Sequence, residues 1–102
     1  MIESVLVPIR TAIAERHRLE FSYKGLPRTV TPWALGITKD GVWRVRAAQV
    51  GGFSSSGRAG DDLPKLFDVA GMSGLVLLPE HFEVPLQYRQ DDSAFVRLDI
   101  QL

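Results

Sequence analysis

The chain contains no cysteine. This excludes a disulfide framework, thiolate zinc sites, iron–sulfur ligation and thiol catalysis, and it fits a reducing compartment. Long apolar runs are missing as well. A membrane-spanning helix takes about 20 consecutive apolar residues, whereas the longest purely aliphatic stretch is Leu75-Val76-Leu77-Leu78. No basic lead followed by an apolar segment opens the chain, because Glu3, Pro8 and Arg10 interrupt it. The cytoplasm is the expected location, with no membrane partner. Histidine is scarce: His17 and His81 are far apart and neither belongs to a spaced pair. No metal site, cofactor or acid–base–nucleophile set is expected, so the chain does not read as an enzyme. Net charge is also absent, at a formal value of zero, which argues against a protein that coats nucleic acid nonspecifically.

What is present amounts to one domain. The 102 residues are 45% hydrophobic and 24% charged, ordinary for a globular protein with a single modest core. The zero net charge hides an imbalance. Residues 1–60 hold nine basic and four acidic side chains, and residues 61–102 hold three basic and eight acidic. Either one face is built to bind anions, or the two halves neutralise each other in the fold.

The pattern along the chain begins helical and then turns to period two. Ile2, Val5, Ile9, Ala12 and Ile13 recur at spacings of three and four, an amphipathic stripe. Pro8 belongs in a first helical turn, so the helix is expected over 8–17, with Arg16, His17 and Arg18 at its C-terminal end. Leu19, Phe21 and Tyr23 alternate with polar residues as a half-buried strand. Gly25-Leu26-Pro27 reads as a turn, and Arg28–Ile37 as a second strand in which Pro32 marks an edge, bulge or bend. Lys39-Asp40-Gly41 is hairpin chemistry. In the third strand, Val42–Val50, Trp43, Val45 and Ala47 share one face and Arg44 and Arg46 the other. Residues 51–62 read as a flexible Gly/Ser loop. Two short strands follow, Lys65–Val69 and Gly74–Leu78, split near Gly71, then a turn at Pro79–Phe82. Ala94–Leu102 alternates again, with Val96, Leu98, Ile100 and Leu102 on one face. A helix and five or six short strands in hairpin order point to a mainly β (α+β) fold, a small barrel.

Chemistry concentrates in arginine. Arg44 and Arg46 are two apart on one strand, which places their guanidinium groups on one face roughly 7 Å apart. Arg28 begins the neighbouring strand, and Tyr23, Trp33 and Trp43 lie on the same three strands. Guanidinium forks grip phosphates or carboxylates and aromatic faces stack on bases. The competing reading places Trp33 and Trp43 in the core and leaves the arginines on an exposed strand face. Gly52-Phe53-Ser54-Ser55-Ser56-Gly57 lacks the Lys-Ser/Thr ending of a phosphate-binding loop, and Asp91-Asp92 reads as a solvated turn.

The motif order resembles the WYL domain, over roughly residues 5–88 of the single 102-residue domain. It is carried by Leu19-Glu20-Phe21-Ser22-Tyr23, by Gly25-Leu26-Pro27-Arg28-Thr29-Val30-Thr31-Pro32, by Gly41-Val42-Trp43-Arg44-Val45, and by Lys65-Leu66-Phe67-Asp68 followed by Phe82-Glu83-Val84-Pro85. The family's Trp-Tyr-Leu triplet reads Trp43-Arg44-Val45 here, and Gly71 stands where a second arginine belongs. The resemblance implies an Sm/SH3-like β-barrel of about five strands (residues 19–88) behind an N-terminal helix; the strand at 94–102 lies beyond it and is an addition. In bacterial regulators such domains usually follow a DNA-binding winged helix and act as sensors. It implies a noncatalytic ligand-sensing module linked to transcriptional regulation, free-standing here, which binds a nucleotide-like or single-stranded nucleic-acid ligand. Arg28, Arg44, Arg46 and Lys65 would line one basic cavity, with Tyr23 as a stacking group. The alternative is an interaction module in which the arginines form salt bridges to the acidic second half. The apolar face of Ala94–Leu102 is then buried either in the same barrel or in a homodimer.

Overall fold

Helix α1 runs Ile2–Glu15, six residues earlier than the proline suggested. Leu6, Ile9, Ala12 and Ile13 form its buried stripe, and that stripe extends the helix N-terminally past Pro8. Packing of an apolar face outweighs the local proline penalty here. The helix stops at Arg16, which takes a left-handed φ of 58°. Its last turn therefore carries no basic residue, and His17 and Arg18 already belong to the sheet. Replacing Pro8 with alanine is expected to stabilise the protein, by an amount bounded by the roughly 3 kcal/mol separating the two residues in a helix interior. A urea denaturation midpoint that does not rise would contradict this.

The computed structural model describes residues 2–54, 57–58 and 64–102. After α1 come strands β1 (His17–Tyr23), β2 (Leu26–Thr38), β3 (Trp43–Ser54), β4 (Gly57–Arg58) and β5 (Pro64–Asp68), a 3-10 turn (Val69–Gly71), β6 (Met72–His81) and β7 (Phe95–Gln101). All pairings are antiparallel. The sheet runs β6–β1–β2–β3, with β4 and β5 on β3 and β7 on β2. Strand β2 is the spine: Leu26–Val30 pairs with β1, and Ala34–Thr38 pairs with β7.

The hairpin turn between β1 and β2 is Lys24-Gly25, both with positive φ. Two such residues complete a tight hairpin turn, so Leu26 and Pro27 join the strand instead of the turn. Pro32 is fully buried inside continuous β2, and the register slips by one residue between Pro32 and Ala34. Of the three roles expected for this proline, the bulge is the one found. Gly51–Ser54, expected as loop, continues β3 and pairs with Arg28, Thr29 and β4. Residues 55, 56 and 59–62 of that expected loop lie outside the described residues. The turn expected at Pro79–Phe82 is instead the end of β6, because an edge strand tolerates a proline and His81 pairs with His17.

One core fills the concave side of the sheet. Leu6, Ile9 and Ile13 of α1 meet Leu19, Phe21, Val30, Leu35, Val45 and Phe67. Trp43 is only half-buried and packs at the margin of this core, whereas Trp33 is 4% exposed. Phe21 and Phe67 make an edge-to-face contact at 5.3 Å between centroids. Because β1 and β5 lie on opposite sides of the β2–β3 pair, that contact requires a strongly curled sheet. Among the described residues no ladder joins β5 to β6, so the sheet is curled but not closed into the expected barrel by strand pairing.

The last strand joins this sheet, but not with the clean alternation expected. Two register shifts, between Leu35 and Gly36 and between Ile37 and Thr38, break the period. Val96 is consequently 68% exposed while Phe95 is buried. Arg10 ties α1 to this strand, its Nε 2.7 Å from the Asp99 carboxylate. No helix among the described residues is long and apolar enough to cross a membrane.

Candidate anion site

The five candidate residues divide between two faces of the sheet. On β3, Val45 and Ala47 are wholly buried in the core, and Arg44 and Arg46 alternate with them. Their side chains therefore occupy the outer face. Arg28 belongs to the inner face. It lies opposite Phe21 and Gly52, and its guanidinium carbon is 5.3 Å from the Tyr23 ring centre and 6.0 Å from that of Phe67. Along β3, Arg44 is eight residues from Gly52, about 26 Å at strand rise. The shared cavity expected for Arg28, Arg44, Arg46 and Lys65 is thus not formed, since strand alternation and distance separate the pair on β3 from Arg28.

Each outer-face arginine has a carboxylate. Arg44 Nη2 donates to Asp40 Oδ2 at 3.0 Å across the β2–β3 hairpin. The Asp40 carboxyl sits below the usual range, chiefly because the Thr38 hydroxyl donates to it, and also through its own backbone N–H and the charge of Arg44. Arg46 forks onto Asp92, Nε to Oδ2 at 2.6 Å and Nη2 to Oδ1 at 3.3 Å. Asp92 lies in the irregular 82–94 connection that crosses the outer face from β6 to β7. Its expected role as a solvated turn residue is corrected: it is half-buried and clamps that connection to the sheet. For these two arginines the salt-bridge alternative describes the geometry.

Burial works against the charge on Asp92. The Arg46 hydrogen bond, the Ala94 N–H at 3.0 Å and the Arg46 charge outweigh it, so the carboxyl titrates below its usual value. A carboxyl whose folded pKa is depressed contributes stability that is complete above its unfolded value, about 3.9, and is lost as pH falls through the folded one. We therefore expect Asp92→Asn to weaken the protein at pH 7 by about 1–2 kcal/mol and by progressively less below pH ~4. Urea midpoints of both proteins between neutral and acid pH check this, and a pH-independent difference would contradict it.

Arg28 differs from both. It is 4% exposed and forms no ion pair with any described residue. Nη2 donates to the Tyr23 carbonyl at 3.1 Å and Nη1 to Gln49 Oε1 at a long 3.4 Å, while Nε has no partner. Tyr23 is not free to stack on a ligand as expected. Its ring carries the Arg28 guanidinium, meets Phe67 edge-on at 5.2 Å, and its hydroxyl accepts the Asp68 N–H at 3.0 Å. It positions Arg28 instead. Lys65 lies opposite Ala47 on β5, two residues before Phe67, so alternation assigns it to the inner face, the face of Arg28. It is half-buried and has no ion pair with a described residue.

One contributor to the site, Gln49, and one pairing away from it, His17 with His81, were missed in the sequence. Gln49 is 2% exposed beside Arg28, and its signal was a polar residue continuing the inward face of Val45 and Ala47. His17 and His81, distant in sequence, are register partners on β1 and β6 with ring centres 4.0 Å apart. His17 Nδ1 is 2.7 Å from the Leu78 carbonyl. Among the described residues no three metal-ligating side chains converge.

No family model, no curated protein and no solved structure matches the chain.

Proposed function

We propose that the protein is a noncatalytic ligand-binding module of WYL type, with a regulatory role in transcription, that takes an anionic ligand at Arg28. The ligand class is a nucleotide or short single-stranded nucleic acid. The order of helix, three antiparallel strands, two short strands, 3-10 turn and a strand returning to β1 supports the Sm/SH3-like relationship. The observation that carries the binding reading is a buried guanidinium that meets no carboxylate among the described residues. A charge held out of water costs several kcal/mol unless paired, and an arriving phosphate supplies the missing partner. The long Gln49 contact is the one an incoming oxygen displaces. Lys65, on the same inner face of the sheet, is the second cation of this reading. Arg44 and Arg46 are not part of the site.

Fluorescence anisotropy with short labelled oligonucleotides at low salt tests this. Arg28→Met is expected to lose at least tenfold in affinity, the scale of one charge-assisted hydrogen-bond set. Arg44→Ala and Arg46→Ala are expected to change it by less than about threefold. Absence of binding at low ionic strength, or wild-type affinity in Arg28→Met, refutes the assignment.

A further inference from the structure

The end of the helix gathers Glu15, His17 and His81. Glu15 closes α1, Arg16 turns the chain with its left-handed φ of 58°, and His17 opens β1. The Arg16 carbonyl accepts the Phe82 N–H at 2.9 Å, which holds His81, the last residue of β6, against this corner. His17 and His81 are register partners, so their side chains leave the same face of the sheet. Their ring centres are 4.0 Å apart and the planes are tilted by 40°.

The Leu78 carbonyl fixes the tautomer of His17. A carbonyl oxygen only accepts, so the 2.7 Å contact requires the proton on Nδ1. In the neutral ring Nε2 is then a bare lone pair, and it lies 3.6 Å from Glu15 Oε1. That is too long for a hydrogen bond. It is close to the spacing that a tetrahedral cation imposes on two of its ligands, since zinc bonds of about 2.0–2.2 Å to nitrogen and oxygen put the donors about 3.4 Å apart. Metal-bound histidines are ordinarily oriented in the same way, by giving the other ring N–H to a carbonyl or carboxylate. The three groups do not converge on one point unaided. His81 is exposed at the end of an edge strand, where its ring has room to turn.

We infer that Glu15, His17 and His81 form a binding site for a divalent transition metal of the zinc class, His81 turning inward to complete the set. Two imidazoles and a carboxylate are a donor set that zinc uses where it keeps an open position, and imidazole disfavours magnesium. His17 and Tyr23 stand at the two ends of β1, about 20 Å apart, so the site is independent of the anion-binding reading. The probe is zinc chloride, dialysed to equilibrium against the tag-free protein from about 1 µM to 1 mM in a non-chelating buffer near pH ~7.5. One zinc per chain is expected, with a dissociation constant below about 100 µM. Magnesium chloride at the same concentrations is expected not to bind. His81→Gln and Glu15→Gln change exposed side chains and so keep the fold, and each is expected to weaken zinc binding at least about tenfold. The chain has only two histidines, so the imidazole proton resonances report on both ligands directly. Zinc is expected to shift the two sets together, saturating at one metal per chain. No zinc bound below about 1 mM, wild-type affinity in either variant, or a shift of one histidine without the other would each overturn the inference.

Discussion

Arg28→Met is expected to make the protein more stable while removing its anion response. The guanidinium is desolvated, meets no carboxylate among the described residues and leaves Nε unpartnered. Its compensation is two hydrogen bonds, to Gln49 and the Tyr23 carbonyl, and its stacking on Tyr23 and Phe67. Methionine is unbranched and flexible, fills the space between the two rings and makes sulfur–aromatic contacts there. Exchanging buried ionic groups for apolar ones of similar volume is often stabilising by about 1–4 kcal/mol. We expect about 1 kcal/mol at Arg28, since a buried Gln49 contact is given up, which is about 4–8 °C in melting temperature for a domain of this size. Added phosphate or oligonucleotide is expected to raise the melting temperature of the wild type and not of the variant. If Arg28→Met is instead destabilised by more than about 1 kcal/mol, the arginine is a satisfied structural element and not a ligand group.

The second large effect is expected at Gly36. A β-carbon there would run into the Arg97 carbonyl oxygen and would lie 2.9 Å from Phe95 Cδ1 and 3.1 Å from Leu98 Cα. Two of these three are backbone atoms of β7, which cannot rotate away. Gly36→Ala therefore forces β7 off β2 at the point where its register already shifts. We expect a loss of about 3 kcal/mol, the upper range for an overpacked site, or about 12–24 °C in melting temperature. Hydrogen exchange should localise the damage: amides of 95–101 lose protection while those of the β1–β2 hairpin keep it. Uniform loss across the sheet, or a change below about 1 kcal/mol, would contradict the close approach.

Alternation of Leu19, Phe21 and Tyr23, and of Val45 and Ala47, was legible in the sequence because one face of each strand is buried, and burial imposes period two. The helical stripe was legible for the same reason, though Pro8 misled its start. The site was legible only in part. Arg28 and Tyr23 were singled out correctly as neighbours, but the grouping with Arg44 and Arg46 failed. Adjacent strands place neighbours on either face, and a bulge such as that after Pro32 changes the parity without leaving a mark in composition. The carboxylate that claims Arg46 comes from 46 residues away, a pairing that no local spacing announces. His17 and His81 met for a comparable reason, through register alone. The close approach at Gly36 was equally silent, because it depends on where β7 lands and not on the residues around the glycine.

Strand β2 takes two different partners along the same edge, β1 first and β7 only after every other strand. A nascent polypeptide emerging from the ribosome reaches Ala94 with those other elements already made, yet with the Ala34–Thr38 edge bare. An uncovered edge of this kind templates intermolecular pairing. The interval before Phe95–Gln101 arrives is accordingly when a chaperone has most to shield, and a message truncated there would yield an aggregating product and not a smaller working domain.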